Sequence, residues 1–180
     1  MFYCFLADGF EETEAIAPID ILRRADIRVC TVGVGGDVIR GSHNIYVNAD
    51  INIDRFEFNE GIEGVILPGG MPGVKNLYAD ERVLDAVRRC NENGLYVCSI
   101  CAAPSIPGKL GILSGKKETC FPGFEKDLEG AKVTGKHVTT DGNLITAKGA
   151  GCALEFGFAI VAAVKGAKAA DNVAIAMQCK

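Results

Sequence analysis

The chain lacks most of what marks a nucleic-acid or membrane protein. It has no basic run and no stripe of aromatics interleaved with cations. Its formal charge of −4 and pI near 5.2 point away from phosphate backbones and anionic lipid surfaces. The longest apolar tract, Phe156 to Val164 between Glu155 and Lys165, is too short to span a bilayer. No secretory leader is recognisable, because Met1 opens directly onto a core-strand pattern, and the expected compartment is cytoplasmic. There is no G-x-G-x-x-G and no G-K-[ST], hence no loop for nucleotide phosphates. Only two histidines occur, His43 and His137, each read as an isolated surface or strand residue. The single C-x-x-C has no second copy to complete a zinc site, so neither a metal nor a cofactor is expected.

What is present suits one globular domain. The 180 residues are 48% hydrophobic and 23% charged, enough to bury a full core without staples. Eight cysteines lie scattered at 4, 30, 90, 98, 101, 120, 152 and 179, and are read as free thiols of a reducing compartment. Cys98 sits within a strand pattern. Three extended residues then separate it from Cys101 by roughly 10 Å, beyond disulfide reach.

Short apolar runs alternate with helical periodicity along the chain, the pattern of an α/β fold with a parallel sheet covered on both faces. Phe2 to Ala7 reads as a central strand, and Ile27 to Val32 as the second. Residues 38–40 and 45–47 read as a small hairpin around Gly41-Ser42, and Gly64 to Leu67 as another buried strand. A helix over about 10–25 is expected, with Asp8 and Glu11 at capping-box spacing and a kink at Pro18. A second is expected from Val74 or Asp80 to Asn91, stopping at Asn93-Gly94. Short strands at 133–134, 137–140 and 144–147 precede helices over 152–164 and 169–177.

The stretch Leu95 to Ser105 organises the rest. An apolar strand breaks at Cys101 into Ala102-Ala103-Pro104, and a helix pattern with Ile106, Leu110, Ile112 and Leu113 follows. Small residues allow a sharp turn, and Pro104 suits a first helical turn. Cys101 then stands at the carboxyl edge of the sheet, at a helix N-terminus whose dipole favours thiolate. Pro107-Gly108 predicts a kink or break in that helix. In the first helix, Phe10, Ala17, Ile21 and Arg24 share a face that includes Glu14, whereas Glu12 reads as solvated. A desolvated Glu14 would stay protonated and donate to a neighbouring thiolate. Gly69-Gly70, after a strand, could offer backbone N–H groups to a substrate oxygen.

Gly9-Phe10-Glu11-Glu12-Thr13-Glu14, Leu67-Pro68-Gly69-Gly70, Ile100-Cys101-Ala102-Ala103-Pro104 and Cys120-Phe121-Pro122-Gly123 occur in that order, followed by Lys148 to Phe156. Together they resemble the ThiJ/PfpI superfamily, in particular its Parkinson-disease protein deglycase branch. The resemblance implies a flavodoxin-like three-layer sandwich, mostly parallel, with helices on both faces. It implies a nucleophile at Cys101, Glu14 as the acid bonded to it, and the backbone N–H groups of Gly70 and Ala102 facing a bound oxygen. Gly69, Cys120, Phe121, Pro122, Gly151 and Cys152 would line or support the pocket. The resemblance further implies a homodimer that brings Arg24 near the partner's site.

Several positions depart from the family pattern. Ala102 replaces the His that protease-like members carry after the nucleophile. A Cys without an adjacent base is a poor peptidase, so that label is set aside. Phe121 stands where some members have His, His43 and Lys148 where Arg is found, and Ala150 and Cys152 where Pro and Thr are usual. Two functions are implied. One is cofactor-independent chemistry on small aldehydes or glycated amines, such as conversion of methylglyoxal to lactate. The other is a redox-sensing or chaperone-like role in which Cys101 is oxidised to sulfinate. Cys120 and Cys152 are weighed there as resolving thiols close to Cys101.

Overall fold

The apolar run at the N-terminus forms β1 (Phe2–Ala7), buried at every position, as a strand covered on both faces must be. In the computed structural model, which describes residues 1–179, β1 sits inside a seven-stranded sheet. The connection through α1 (Glu12–Arg24) leads to β2 (Val29–Val34). A hairpin of β3 (Val38–Arg40) and β4 (Tyr46–Asn48) stands apart, and β5 (Ile51–Asn52) closes one edge. β6 (Gly64–Leu67) is followed by α2 (Gly73–Ala79) and α3 (Glu81–Glu92), then β7 (Tyr96–Ile100) and α4 (Ser105–Lys109). β8 (Lys117–Glu118) and β9 (Lys132–Val133) pair with each other. β10 (Val138–Asp141), β11 (Leu144–Ala147), α5 (Ala153–Lys165) and α6 (Ala167–Ala176) complete the chain.

The sheet order is β10-β11-β7-β6-β1-β2-β5, and every pair is parallel except β10–β11. The two-residue alternation of each strand divides the core. Tyr3, Phe5 and Ala7 face α2, α3 and α4, whereas Phe2, Cys4 and Leu6 face α1, α5 and α6. This is the expected three-layer α/β sandwich. The carboxyl ends of β1, β6 and β7 open on one edge, where such folds place ligands.

Local details differ from the sequence reading in places. The second strand begins at Val29, two residues late, because Ile27 is spent on the tight turn into it, its N–H bonded to the Leu22 carbonyl at 2.9 Å. Glu11, not Asp8, caps α1, accepting from the Glu14 N–H at 2.7 Å. Asp8 instead accepts from the Arg40 N–H at 2.9 Å and tethers the hairpin. Pro18 lies inside α1, as expected, and of the two starts weighed for the next helix Asp80 is the cap of α3, whereas Val74 belongs to the separate α2. The break expected at Pro107-Gly108 does not fall there: both residues lie within α4, which ends one residue later at Lys109. α4 has five residues, and a β-carbon on Gly108 would lie 2.1 Å from the Asp127 carbonyl oxygen. No helix among the described residues is long and apolar enough to cross a membrane.

Candidate active site

Cys101 follows the last residue of β7 with φ of +64°, a left-handed conformation that a β-carbon disfavours by about 1–3 kcal/mol. Two backbone bonds hold it there. Its N–H donates to the Ala147 carbonyl of β11 at 2.9 Å, and its carbonyl accepts from the Phe121 N–H at 2.8 Å. The side chain is half-buried and touches the hydrophobic clusters on both faces of the sheet.

Glu14 comes to this sulfur from the first turn of α1. It is 1% exposed, and its Oε2 accepts from the Gly69 N–H at 2.9 Å. The carboxyl lies beside the Cys101 thiol and the Ala150 backbone, and both favour its ionised form. Gly69 has to be glycine. A β-carbon there would lie 2.4 Å from Glu14 Oε2 and 2.6 Å from Cys101 Cβ. Gly70 has φ of +91°, with its Cα packed against the turn that starts α1. The backbone N–H groups of Gly70 and Ala102 are near enough to the Cys101 sulfur to favour its ionised form. Cys101, Glu14, Gly69, Gly70 and Ala102 are thus brought together.

Burial pushes the Glu14 carboxyl up to about 7. The neighbouring Cys101 thiol opposes the rise, the charge of Glu11 adds to it, and the Gly69 and Ala150 amides pull it down. Burial likewise pushes the Cys101 thiol up to about 12, helped by the neighbouring Glu14 and opposed by the Ala102 and Gly70 N–H groups. The expectation of a resting thiolate held by a helix dipole is therefore corrected. α4 is too short to supply much field, and burial beside an acid dominates. The two groups titrate as a pair. Near neutrality the sulfur keeps its proton, and an adjacent carboxyl that is half ionised stands ready to accept it.

The supporting residues divide. Phe121 grips Cys101 through its N–H, while its ring is half-exposed and packs over Gly149. Cys120 is buried in the cluster on the α4 side, and burial pushes its thiol up to about 11. Pro122 and Gly151 are exposed turn residues. Cys152 is buried in the 3-10 turn that leads into α5 and contains Ala150. All eight cysteines are free thiols, and neither Cys120 nor Cys152 is bonded to Cys101. Arg24 is exposed and paired with Asp20 at 2.8 Å. It stands about 15 Å along α1 from Glu14, outside the Cys101 site of its own chain. A cleft of about 260 Å³ has Met71, Val74, Tyr78, Ser105, Lys109 and Phe124 among its walls, and Met71 directly follows Gly70.

Sequence reasoning missed Glu12. Expected in solvent, it is 7% exposed and accepts from the Ser42 hydroxyl, the His43 N–H and the His43 Nδ1. Those bonds hold its carboxyl down at about 2, although burial works the other way. Glu11, Glu12 and His43 place ligand atoms within 4.8 Å of one another, the one such group among the described residues. Both carboxylates are already committed, Glu11 to the cap and Glu12 to the hairpin, so the group reads as an anchor. Gly41, whose β-carbon would lie 2.2 Å from Glu12 Oε1, was the available signal.

A model of the DJ-1/PfpI family matches residues 2–163. The chain is 35% identical over 172 residues to the protein dj-1beta of Drosophila melanogaster, covering 94% of this chain and 91% of that one. It is 29% identical over 144 residues to a deglycase of Pyrococcus abyssi, covering 79% and 86%. The crystal structure of Drosophila melanogaster DJ-1beta superposes with a TM-score of 0.92 at 33% identity, over 98% of this chain and 96% of that chain. With a mostly parallel sandwich, a strained cysteine at its carboxyl edge and a buried acid on that sulfur, the chain belongs to the DJ-1/PfpI family.

Proposed function

We propose that this protein is a cofactor-independent cysteine enzyme for small reactive aldehydes, converting a dicarbonyl such as methylglyoxal to its hydroxy acid. The observation that carries this reading is the juxtaposition of a nearly inaccessible Glu14 carboxyl and the Cys101 thiol over Gly69, with the acid pushed up to about 7. Such an acid exchanges protons at neutral pH without a metal.

The sulfur adds to the aldehyde carbon while its proton passes to ionised Glu14, and the carbonyl oxygen takes that proton to give a hemithioacetal. The N–H groups of Gly70 and Ala102 oppose the charge that builds on this oxygen. Glu14, again ionised, removes the proton from the sulfur-bearing carbon and returns it to the neighbouring carbon, leaving a thioester. Water cleaves the C–S bond, which restores the thiol and releases the hydroxy acid. The sum is dicarbonyl plus water. A glycated amine, whose former aldehyde carbon carries nitrogen, would reach the same hemithioacetal only by exchanging its C–N bond for the C–S bond, the amine leaving with the thiol proton. Lactate formation should vanish in Cys101→Ser and be strongly impaired in Glu14→Gln. An unchanged rate in either variant ends this reading.

A second reading rests on the half-exposure of the same sulfur. Two equivalents of peroxide would convert the thiol to sulfinic acid with loss of two waters, and the Gly70 and Ala102 N–H groups would bond its oxygens. Mass spectrometry after mild peroxide separates the two. Oxidation confined to Cys101, with no aldehyde turnover, favours the sensor.

The assembly proposed is a homodimer, supported by exposed Ile16, Val38, Ile45 and Tyr46 on α1 and the hairpin that Glu12 ties to it. In it Arg24 would stand near the partner's site. A cytoplasmic setting suits the free thiols.

A further inference from the structure

The aldehyde chemistry leaves unused a second buried acid, on β8. Glu118 is fully buried, and its Oε2 accepts from the Thr146 hydroxyl at 2.7 Å while Oε1 has no partner. Thr146 Oγ1 accepts in turn from the Thr119 N–H at 2.9 Å. Ser99 lies beside Thr146 in the parallel β7–β11 register, fully buried and with its hydroxyl unpartnered. Interiors rarely tolerate such groups without a reason.

Their place in the fold supplies one. The residue after Thr146 is Ala147, which accepts the Cys101 N–H, and three residues after Glu118 comes Phe121, which donates to the Cys101 carbonyl. The Glu118–Thr146–Thr119 chain therefore cross-links the two segments that grip the strained main chain of Cys101. We propose that Glu118 is a positioning residue: through Thr146 it locks β8 to β11 and so fixes how the nucleophile is presented. This deepens the reading above and rests on Cys101 being the reacting group.

The lock works with a neutral carboxyl. An ionised Glu118 would hold a full charge against one donor in an apolar setting. Burial pushes this acid up to about 7, against the bond from Thr146; Asp141 on β10 adds to the rise and Lys116 opposes it. β7 and β11 contribute only the uncharged Ser99 and Thr146, and Lys132 on β9 is exposed. An ionised carboxylate would accept the Thr146 hydroxyl more strongly. As a full charge in an apolar setting, however, it would draw water between β8 and β11, so the lock loosens as pH rises through the neutral range.

The test follows hydrogen exchange at the Phe121 amide, corrected for its intrinsic pH dependence, beside iodoacetamide alkylation of Cys101. Both are read from about pH 6 to about pH 9 in wild type, Glu118→Gln, Thr146→Val and Thr146→Ser. In wild type, Phe121 protection should fall roughly tenfold across that range, with a parallel change in alkylation. Glu118→Gln, neutral throughout and still an acceptor for Thr146, should keep the low-pH protection at every pH. Thr146→Val should lack it at every pH, and Thr146→Ser should restore it. A wild-type pH profile in Glu118→Gln, or wild-type protection in Thr146→Val, would overturn the proposal, even if both variants melt earlier. Alkylation needs no aldehyde, so absent turnover would count against the enzyme reading alone.

Discussion

Glu12 and His43, thirty-one positions apart, are bonded twice: the His43 N–H to Glu12 Oε1 at 2.7 Å and Nδ1 to Oε2 at 2.9 Å. The pair pins the β3–β4 hairpin to the first turn of α1, two residues from the acid that touches the nucleophile.

Removing that anchor should be felt in stability. Glu12→Ala strands several donors at once and should cost roughly 1–3 kcal/mol, a fall of about 3–10 °C in Tm. Calorimetry on the variant checks this. Cys101 alkylation should change less than stability, because Glu14 keeps its own bond to Gly69.

Gly69→Ala should do the reverse. The added methyl collides with Glu14 Oε2 and Cys101 Cβ, so the acid must leave the sulfur or the elbow must shift. Hydroxy-acid formation should drop by about tenfold or more while the far-ultraviolet dichroism stays native. Activity within about twofold of wild type would show that the contact is dispensable.

The pH dependence of turnover has a defined sign. Glu14 must be ionised to receive the thiol proton, and its pKa is raised to about 7. Activity should therefore rise with pH through the neutral range, and the limb should vanish in Glu14→Gln. In that variant the charge that raises Cys101 is gone, so iodoacetamide alkylation should be no slower than in wild type although turnover is lost. A split between alkylation and turnover separates a proton acceptor from a thiolate stabiliser.

Folding stability should peak in mild acid. Glu14 and Glu118 both have folded values raised to about 7 from 4.5, so their native state binds more protons and loses stability as pH rises from 4.5 towards 7. Glu12, lowered to about 2, contributes stability present above 4.5 and lost as pH falls towards 2. Urea midpoints across that range should trace a maximum near the carboxylate values. Glu118→Gln should flatten the neutral limb.

The layers of this fold were readable because they rest on local periodicity. β1, β6 and β7 are continuous apolar runs, and the break at Cys101-Ala102-Ala103-Pro104 marks the elbow without reference to anything distant. Glu14 was legible for the same reason, lying within the apolar face of α1. Glu12 was not. Two positions away on a helix is the opposite side, and what buries it there is a hairpin thirty residues later, which no helical period records. Asp8 was misassigned as a cap because its competing partner, the Arg40 amide, is equally remote. Glu118 gave no signal, as β8 is two residues long and its neighbours come from three other strands. The ionisation of Cys101 depended on how much solvent reaches it, a property of packing.

Because Cys101 packs against the hydrophobic clusters above and below the sheet, its surroundings are set jointly by two sets of helices on opposite faces. A methyl group removed from beneath α5 and one removed from beneath α3 should both reach the same atom. Variation far from the elbow, on either side, is thus a means of tuning its reactivity while the residues around it stay as they are.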